Sequence, residues 1–172
     1  MKSIVIYSSL TGNTKQVAEA MTSVLPAGTP CVSMKEVPSD LSSYDLVFAG
    51  FWVDKGTANK EARDVLGTLH NPHIALFATA GVPPQMAHAK ESLINAANCL
   101  PDGVEPVGTF ICQGKVDPKV IEMMYKMFPK GHSHGQSADR DARHKQAAVH
   151  PNEDDFKAAQ DFAQHILAKL DR

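Results

Sequence analysis

Short apolar segments alternate with segments of helical periodicity along most of this 172-residue chain. The apolar segments are continuous, which is typical of parallel strands buried on both faces. Strands are predicted at 3–7, 30–34, 44–50, 73–79 and 107–112. Helices are predicted at 14–25, 57–69, 84–99 and 152–170. This order predicts an α/β fold in which a doubly wound, five-stranded parallel sheet carries helices on both faces.

Composition narrows the possible classes of protein. The net charge is −2, and 43% apolar with 21% charged residues is ordinary for a globular domain. There is no basic patch, so no nucleic-acid partner is expected. No apolar run approaches the roughly 18 to 20 residues of a membrane span, and "MKSIVIYSS" lacks a signal-peptide pattern, so we predict a cytoplasmic protein without a membrane span. Cys31, Cys99 and Cys112 show no zinc spacing and are expected to be reduced and mostly buried.

A run of small and polar residues, "SSLTGNT" at 8–14, follows the first predicted strand. In a doubly wound sheet, ligands bind at the carboxyl ends of the strands. Gly12 would let the backbone curve around a bound group, and the first amides of the next helix favour an anion. Ser9, Thr11 and Thr14 add hydroxyl donors. The loop therefore predicts a phosphate monoester site, with a plain helix cap as the alternative, and it lacks the glycines of the common nucleotide motifs.

The stretch 9–14 resembles the [ST]-x-T-G-x-T phosphate loop of flavodoxins, and the predicted element order is similar to the flavodoxin fold. The resemblance covers about residues 1–113 and the last helix. It implies the strand order 2-1-3-4-5 and FMN as the cofactor at the carboxyl edge of the sheet. The cofactor-binding residues predicted on this basis are Ser9, Leu10, Thr11, Gly12, Asn13, Thr14, Phe51, Trp52, Val53, Lys55, Gly56, Thr79, Ala80 and Gly81.

Two further loops are expected to meet the flavin ring. Phe51 and Trp52 follow the third predicted strand, and a flat aromatic side chain there can stack on the ring, unless Trp52 caps the core. In flavodoxins a peptide of this loop turns its carbonyl toward the reduced ring, which implies a role for Lys55–Gly56 or Asp54–Lys55. After the fourth strand, the small residues at 78–81 leave room for backbone amides at the pyrimidine edge.

Residues 117–151 break the alternation and are predicted to be an insertion within a single domain of residues 1–172. The first part, "PKVIEMMYKMF", is a predicted helix that ends at Pro129, and its methionines either pack in the core or form an adaptable apolar surface. The polar second part is predicted to be a solvated loop, and its "GHSHG" lacks usual metal-ligand spacing. The segment, with its "HPNEDDF" lead into the last helix, resembles an extra segment of a flavodoxin-like family from anaerobic bacteria. That resemblance implies a cover for the flavin or a docking site for a dedicated reductase.

These features predict an FMN-binding, flavodoxin-like electron-transfer protein that passes one or two electrons to or from a partner oxidoreductase. No residue in the pattern has to act as an acid, a base or a nucleophile. Two alternatives stay open: an FMN-dependent reductase of a quinone, a tetrapyrrole or a similar conjugated molecule, and a cofactor-free interaction domain. A net charge of −2 is small for a carrier that steers by an acidic surface, which favours a dedicated partner.

Overall fold

The computed structural model describes residues 1–171. Within that range the chain forms six β-strands and six α-helices. In chain order they are β1 Ser3–Tyr7, α1 Asn13–Thr22, β2 Cys31–Ser33, β3 Leu46–Asp54, β4 Thr57–Ala58, α2 Lys60–Leu66, β5 His73–Ala80, α3 Ala87–Ala97, β6 Gly108–Gln113, α4 Pro118–Met127, α5 Ala138–Ala147 and α6 Glu153–Leu170.

Five of these strands form one parallel sheet in the order β2-β1-β3-β5-β6, and the two-residue β4 pairs antiparallel with the end of β3. The predicted doubly wound sheet is confirmed, because the order 2-1-3-4-5 is the observed one once β4 is left out of the count. The strand order changes direction between β1 and β3. In such sheets a crevice opens at the carboxyl ends of the strands on either side of that point.

Helices cover both faces of the sheet, and each strand of the parallel sheet contributes side chains to two hydrophobic cores. On one face Ile4 and Ile6 of β1 pack in a core with residues of α2 and α3. On the other face Val5 packs in a core with residues of α1 and α6. Because both faces are covered, the inner strands are mostly apolar on both faces, which is the pattern that predicted them.

Gly50 in the middle of β3 makes room for the aromatic ring of Phe77 on the neighbouring strand. The two residues are register partners in the parallel ladder. A Cβ atom at Gly50 would lie 2.1 Å from Phe77 Cζ. Phe77 is fully buried, so its ring has no free space to move into.

The third strand is longer than predicted. It runs to Asp54, four residues beyond the predicted end, and then turns through Lys55 and Gly56 into β4. Both turn residues have positive φ, 50° and 77°, which is the geometry of a tight two-residue hairpin. As a consequence, α2 begins at Lys60 instead of residue 57.

Helix α4 opens the 117–151 segment. Asp117 caps it, since its Oδ1 accepts a hydrogen bond of 2.8 Å from the Lys119 backbone N–H. The helix ends just before Pro129, as predicted. No residue of α4 is fully buried, and Met123 and Met127 are more than half exposed. The alternative in which the methionines pack in the core is therefore wrong.

Helix α5 corrects the prediction of a solvated loop. Ser137 caps it by accepting a hydrogen bond from the Arg140 backbone N–H. Only Ala147 of this helix is buried, so no apolar stripe marks it in the sequence. The Tyr125 hydroxyl of α4 donates a 2.9 Å hydrogen bond to Asp141 Oδ1 and joins the two helices.

The last helix matches its prediction closely. Asn152 accepts hydrogen bonds from the backbone N–H groups of Asp154 and Asp155, and the Asp155 side chain accepts from the Asn152 backbone N–H. This reciprocal pair is a capping box. Within residues 1–171 every helix is too short or too polar to cross a membrane.

Candidate cofactor site

A cavity of about 310 Å³ lies at the carboxyl ends of β1, β3, β5 and β6. This volume is at the lower end of the range for small-molecule sites. Of the residues predicted from the sequence, the cavity is lined by Ser9, Leu10, Thr11, Asn13, Thr14, Trp52, Val53, Thr79, Ala80 and Gly81. The sheet thus brings together the three loops that the sequence predicted as one site.

The loop after β1 supplies one end of the cavity. Gly12 lies at the N-cap of α1 with φ of 96°, a left-handed conformation that favours glycine, and its N–H donates to Ser9 Oγ at 3.1 Å. Among residues 1–171, the next three backbone N–H groups, of Asn13, Thr14 and Lys15, have no hydrogen-bond acceptor. They are the unpaired donors at the start of a helix, where the dipole also favours negative charge.

Two side-chain hydrogen bonds hold this loop against its neighbours. The hydroxyl oxygens of Thr14 and Thr79 are 2.9 Å apart, and both residues are buried. Asn13 Nδ2 donates a 2.8 Å bond to the Lys115 carbonyl oxygen. The Thr14 hydroxyl therefore links α1 to β5. The hydroxyls of Ser9 and Thr11 are the side-chain donors of the loop that this bond does not use.

The cavity also has apolar lining residues. Trp52 lines it from the end of β3 and is partly exposed, so it does not simply cap the core. Leu10 also lines it and is 63% exposed. Ala80 at the end of β5 and Gly81 after it are small lining residues, and Trp52 is the register partner of Thr79 on β5. An aromatic side chain beside small residues suits a planar ring.

Four predicted residues are absent from the cavity lining. Gly12 lies in the loop after β1, at the N-cap of α1, and the other three lie elsewhere. Phe51 is fully buried in the core that contains α2 and α3, and its ring cannot reach the cavity. Lys55 and Gly56 form the hairpin turn, where the Gly56 carbonyl accepts a 2.8 Å bond from Asn95 Nδ2. The physical reason is the length of β3, because its extra residues alternate between faces and carry the turn past the cavity.

The structure also adds residues that the sequence analysis missed. The newly found lining residues are Gly114, Lys115, Val116, Asp117 and Val120, and Asp54, named above only as part of a candidate turning peptide, also lines the cavity. Most of them follow β6, which lies beside β5 and ends at the same edge. The predicted sheet order already placed the end of β6 at this edge. Gly114, directly after β6, was the sequence feature that could have indicated a lining loop.

The hydrogen-bond donors of the loop after β1 favour binding of an anion, and no group in the cavity is poised for covalent chemistry. Neutral amides and hydroxyls lie at this loop, and the charged lining residues are Asp54, Lys115 and Asp117. Cys112 lies opposite Thr79 in the ladder. Burial, with a smaller contribution from Asp155, raises the pKa of the Cys112 thiol to about 12, so it stays protonated and unreactive near neutral pH.

The histidines of the 117–151 segment lie away from this site. His132 and His134 pack on the ring of Phe128, with centroids 4.6 and 5.3 Å from it. His150 Nδ1 lies 2.6 Å from Asp155 Oδ2. Within residues 1–171 no group of three potential metal ligands comes together.

Comparison with known proteins identifies the family. A sequence model described as a flavodoxin domain matches residues 4–164. The chain belongs to the flavodoxin family. This flavodoxin is 34% identical over 176 residues to the flavodoxin-like domain-containing protein BilS of Clostridioides difficile (strain CD3), with 98% of each chain covered.

Solved structures support the fold of this flavodoxin at lower identity. A flavodoxin from the domain Archaea is 14% identical, is covered over the whole of both chains and gives a TM-score of 0.53. A flavoprotein of Lactobacillus acidophilus NCFM, solved in complex with FMN, is 18% identical with a TM-score of 0.51. That alignment covers 64% of this chain and 93% of the other. At these identities the likeness concerns the fold.

Proposed function

We propose that the cavity binds FMN and that this flavodoxin passes electrons between the bound flavin and a partner oxidoreductase. The single observation that carries the proposal is that Trp52 lines the same cavity as Asn13 and Thr14, at the helix start where the amides of residues 13–15 are free. A phosphate monoester needs several donors at one point, and an isoalloxazine ring needs a flat apolar wall. Membership of the flavodoxin family supports the same ligand.

Different residues around the cavity would bind different parts of FMN. The amides and the hydroxyls of Ser9 and Thr11 would hold the phosphate, and Trp52 would face the ring. Bound FMN supplies the redox chemistry, and the protein positions it and tunes its surroundings. Leu10 and Val120 are apolar lining residues that would exclude water from part of the ring.

The electron-transfer role is inferred from what the site lacks and what lies around it. None of the lining residues named here combines a nucleophile with a base, so the chain has no evident chemistry of its own apart from the flavin. Passing electrons to another protein needs only a flavin close to the surface. The free thiols of Cys31, Cys99 and Cys112 suit a reducing compartment, and we retain the cytoplasm as the predicted location.

The test is retention of FMN after desalting. Purified protein is mixed with excess FMN, desalted, and its visible spectrum recorded. We expect flavin absorption bands in the protein fraction of the wild type and their loss in Thr11→Asp, because a carboxylate at this exposed position repels the phosphate. Ser39→Asp, at an exposed position in the loop between β2 and β3, is the matched control and should retain the bands.

A colourless wild-type protein would overturn the proposal. Equal FMN retention by wild type and Thr11→Asp would instead show that the phosphate does not lie at this loop. Circular dichroism of both variants checks that each is folded, so that loss of flavin is not loss of structure.

A further inference from the structure

We propose that the exposed face of α4 is the surface on which the partner oxidoreductase docks, and that the matching surface of the partner is apolar with an acidic border. The residues of this surface, called the methionine face, are Lys119, Met123, Lys126 and Met127 of α4, together with Lys130, which follows the end of the helix. The inference rests on the proposed function and identifies where and by what chemistry the partner binds.

The methionine face exposes apolar surface that the fold does not use. Met123 and Met127 are 55% and 66% exposed. They are four residues apart on a helix, so their side chains are neighbours on one face. Neighbouring exposed apolar side chains are typical of interaction sites, and the flexible methionine side chain can adapt to the surface of a partner.

This face lies beside the cavity. Asp117 and Val120, at the start of α4, line the cavity wall. Met123 follows Val120 by one helical turn, which advances about 5 Å along the axis. Leu10 adds exposed apolar surface at the cavity rim. A protein bound to α4 is therefore close to whatever occupies the cavity.

Hydrogen bonds hold the residues just before α4 against the rest of the chain, so they fix the position of the methionine face. Asn13 Nδ2 donates to the Lys115 carbonyl at 2.8 Å, which joins the loop after β1 to the residues before α4. The Lys115 N–H donates to the His150 carbonyl at 2.8 Å, which joins the two ends of the segment.

Charge selects the kind of partner. Residues 115–130 contain four lysines and two carboxylates, which gives +2 on a chain whose net charge is −2. Lys126 Nζ is 2.7 Å from Glu122 Oε1. Lys119 and Lys130 have no ion-pair partner among residues 1–171 and lie on either side of the methionines along the chain. An acidic border on the partner would complement these two lysines, and a basic border would be repelled.

Electron transfer to haem proteins of opposite charge tests the proposal. The FMN-loaded protein is reduced with one equivalent of dithionite and mixed in a stopped-flow instrument with acidic ferric cytochrome b5 or with basic ferric cytochrome c. Each reduced FMN gives one electron to each of two ferric haems, yields two ferrous haems and oxidised FMN, and releases its protons to the solvent. The rate of haem reduction is measured at low and at high salt.

We compare Lys119→Glu/Lys130→Glu with the control Lys35→Glu/Lys90→Glu, which changes the net charge equally at exposed positions outside α4. The test variant should react about tenfold more slowly with cytochrome b5 at low salt and faster with cytochrome c, because steering depends on local charge. High salt should remove both differences. Met123→Gln/Met127→Gln should also slow the reduction of cytochrome b5, since this variant removes apolar contact and keeps the lysines.

Several results would overturn the docking assignment. The two charge variants could reduce the haem proteins at equal rates, or the test variant could reduce cytochrome b5 as fast as the wild type does. The wild type could also fail to reduce either haem protein. A dimer in sedimentation velocity that Met123→Gln/Met127→Gln dissociates would assign the face to a second copy.

Reoxidation by benzoquinone, a small neutral acceptor, distinguishes failure of the docking surface from failure of the proposed function. If wild type fails to hold FMN or does not react with benzoquinone, the proposed function fails; if it reacts and the variants show no difference, only the docking surface fails.

Discussion

The hydroxyl oxygens of Thr14 and Thr79 lie 2.9 Å apart, although the two residues are separated by 65 positions in the sequence. Thr14 is in the first turn of α1 and Thr79 is near the end of β5. Both are nearly inaccessible to solvent, so water cannot replace either partner. The bond fixes the loop after β1 relative to the strand on the far side of β3.

We expect Thr14→Val to lower the free energy of unfolding by about 1–3 kcal/mol, because it leaves the buried Thr79 hydroxyl without its partner. The double variant Thr14→Val/Thr79→Val should cost less than the sum of the two single variants, since neither polar group is then stranded. Urea denaturation of the four proteins measures this coupling. Strictly additive single-variant losses would show that the two hydroxyls do not stabilise each other.

Trp52 provides an internal probe of the cavity because it is the only tryptophan in the chain. We expect FMN to quench its fluorescence on binding, and riboflavin to bind more weakly because it lacks the phosphate that the loop would hold. Thr11→Asp should reduce the difference in Kd between the two flavins. Equal Kd values for FMN and riboflavin in the wild type would contradict a phosphate site at the loop after β1.

Gly50→Ala tests the close approach of β3 to Phe77. The added Cβ would lie 2.1 Å from the ring, so we expect a loss of at least about 1–3 kcal/mol in the free energy of unfolding. Gly67→Ala is the control, because its φ is −63° and the nearest atom to a new Cβ is 3.6 Å away. Phe77→Leu should recover part of the Gly50→Ala loss. A Gly50→Ala protein as stable as Gly67→Ala would show that the ring moves freely.

Cys112 should resist thiol reagents in the folded protein. Its pKa of about 12 lies above the ordinary thiol value, so the reactive thiolate forms only as the pH rises toward 12, and about one molecule in 10⁴ carries it at pH 8. With DTNB at pH 8 we expect at most Cys31 and Cys99 to react in the native state, and all three thiols in guanidinium chloride. Cys112→Ser should lower only the number of thiols that react in the denatured protein. Three rapidly reacting native thiols would contradict the burial of Cys112.

Prediction from the sequence succeeded where one local signal agreed with the tertiary structure. The strand Ser3–Tyr7 was predicted with its observed bounds because its apolar run ends at polar residues. The start of the last helix was predicted at residue 152, where an amide followed by three acidic residues fits a helix N-terminus. Each of these elements is fixed by residues that are near one another in the chain.

Prediction failed where the deciding contacts are distant or weakly marked. The end of β3 at Asp54 depends on pairing with β5 and on the hairpin to β4, and a single glycine in the turn was its only local sign. The helix Ala138–Ala147 lacks an apolar stripe because it lies on the surface. The lining residues Val116 and Val120 follow β6 and reach the cavity only through the arrangement of the sheet.

The hydrogen bond from the Lys115 N–H to the His150 carbonyl has a consequence for how such a chain can diversify. The backbone leaves β6 and enters the last helix at one place, so the length of the excursion between these residues adds little to the entropy of closing it. The length of the segment that holds α4 and α5 can therefore change while the parallel strands keep their register. The proposed docking surface and the sheet can evolve separately, because different stretches of sequence encode them.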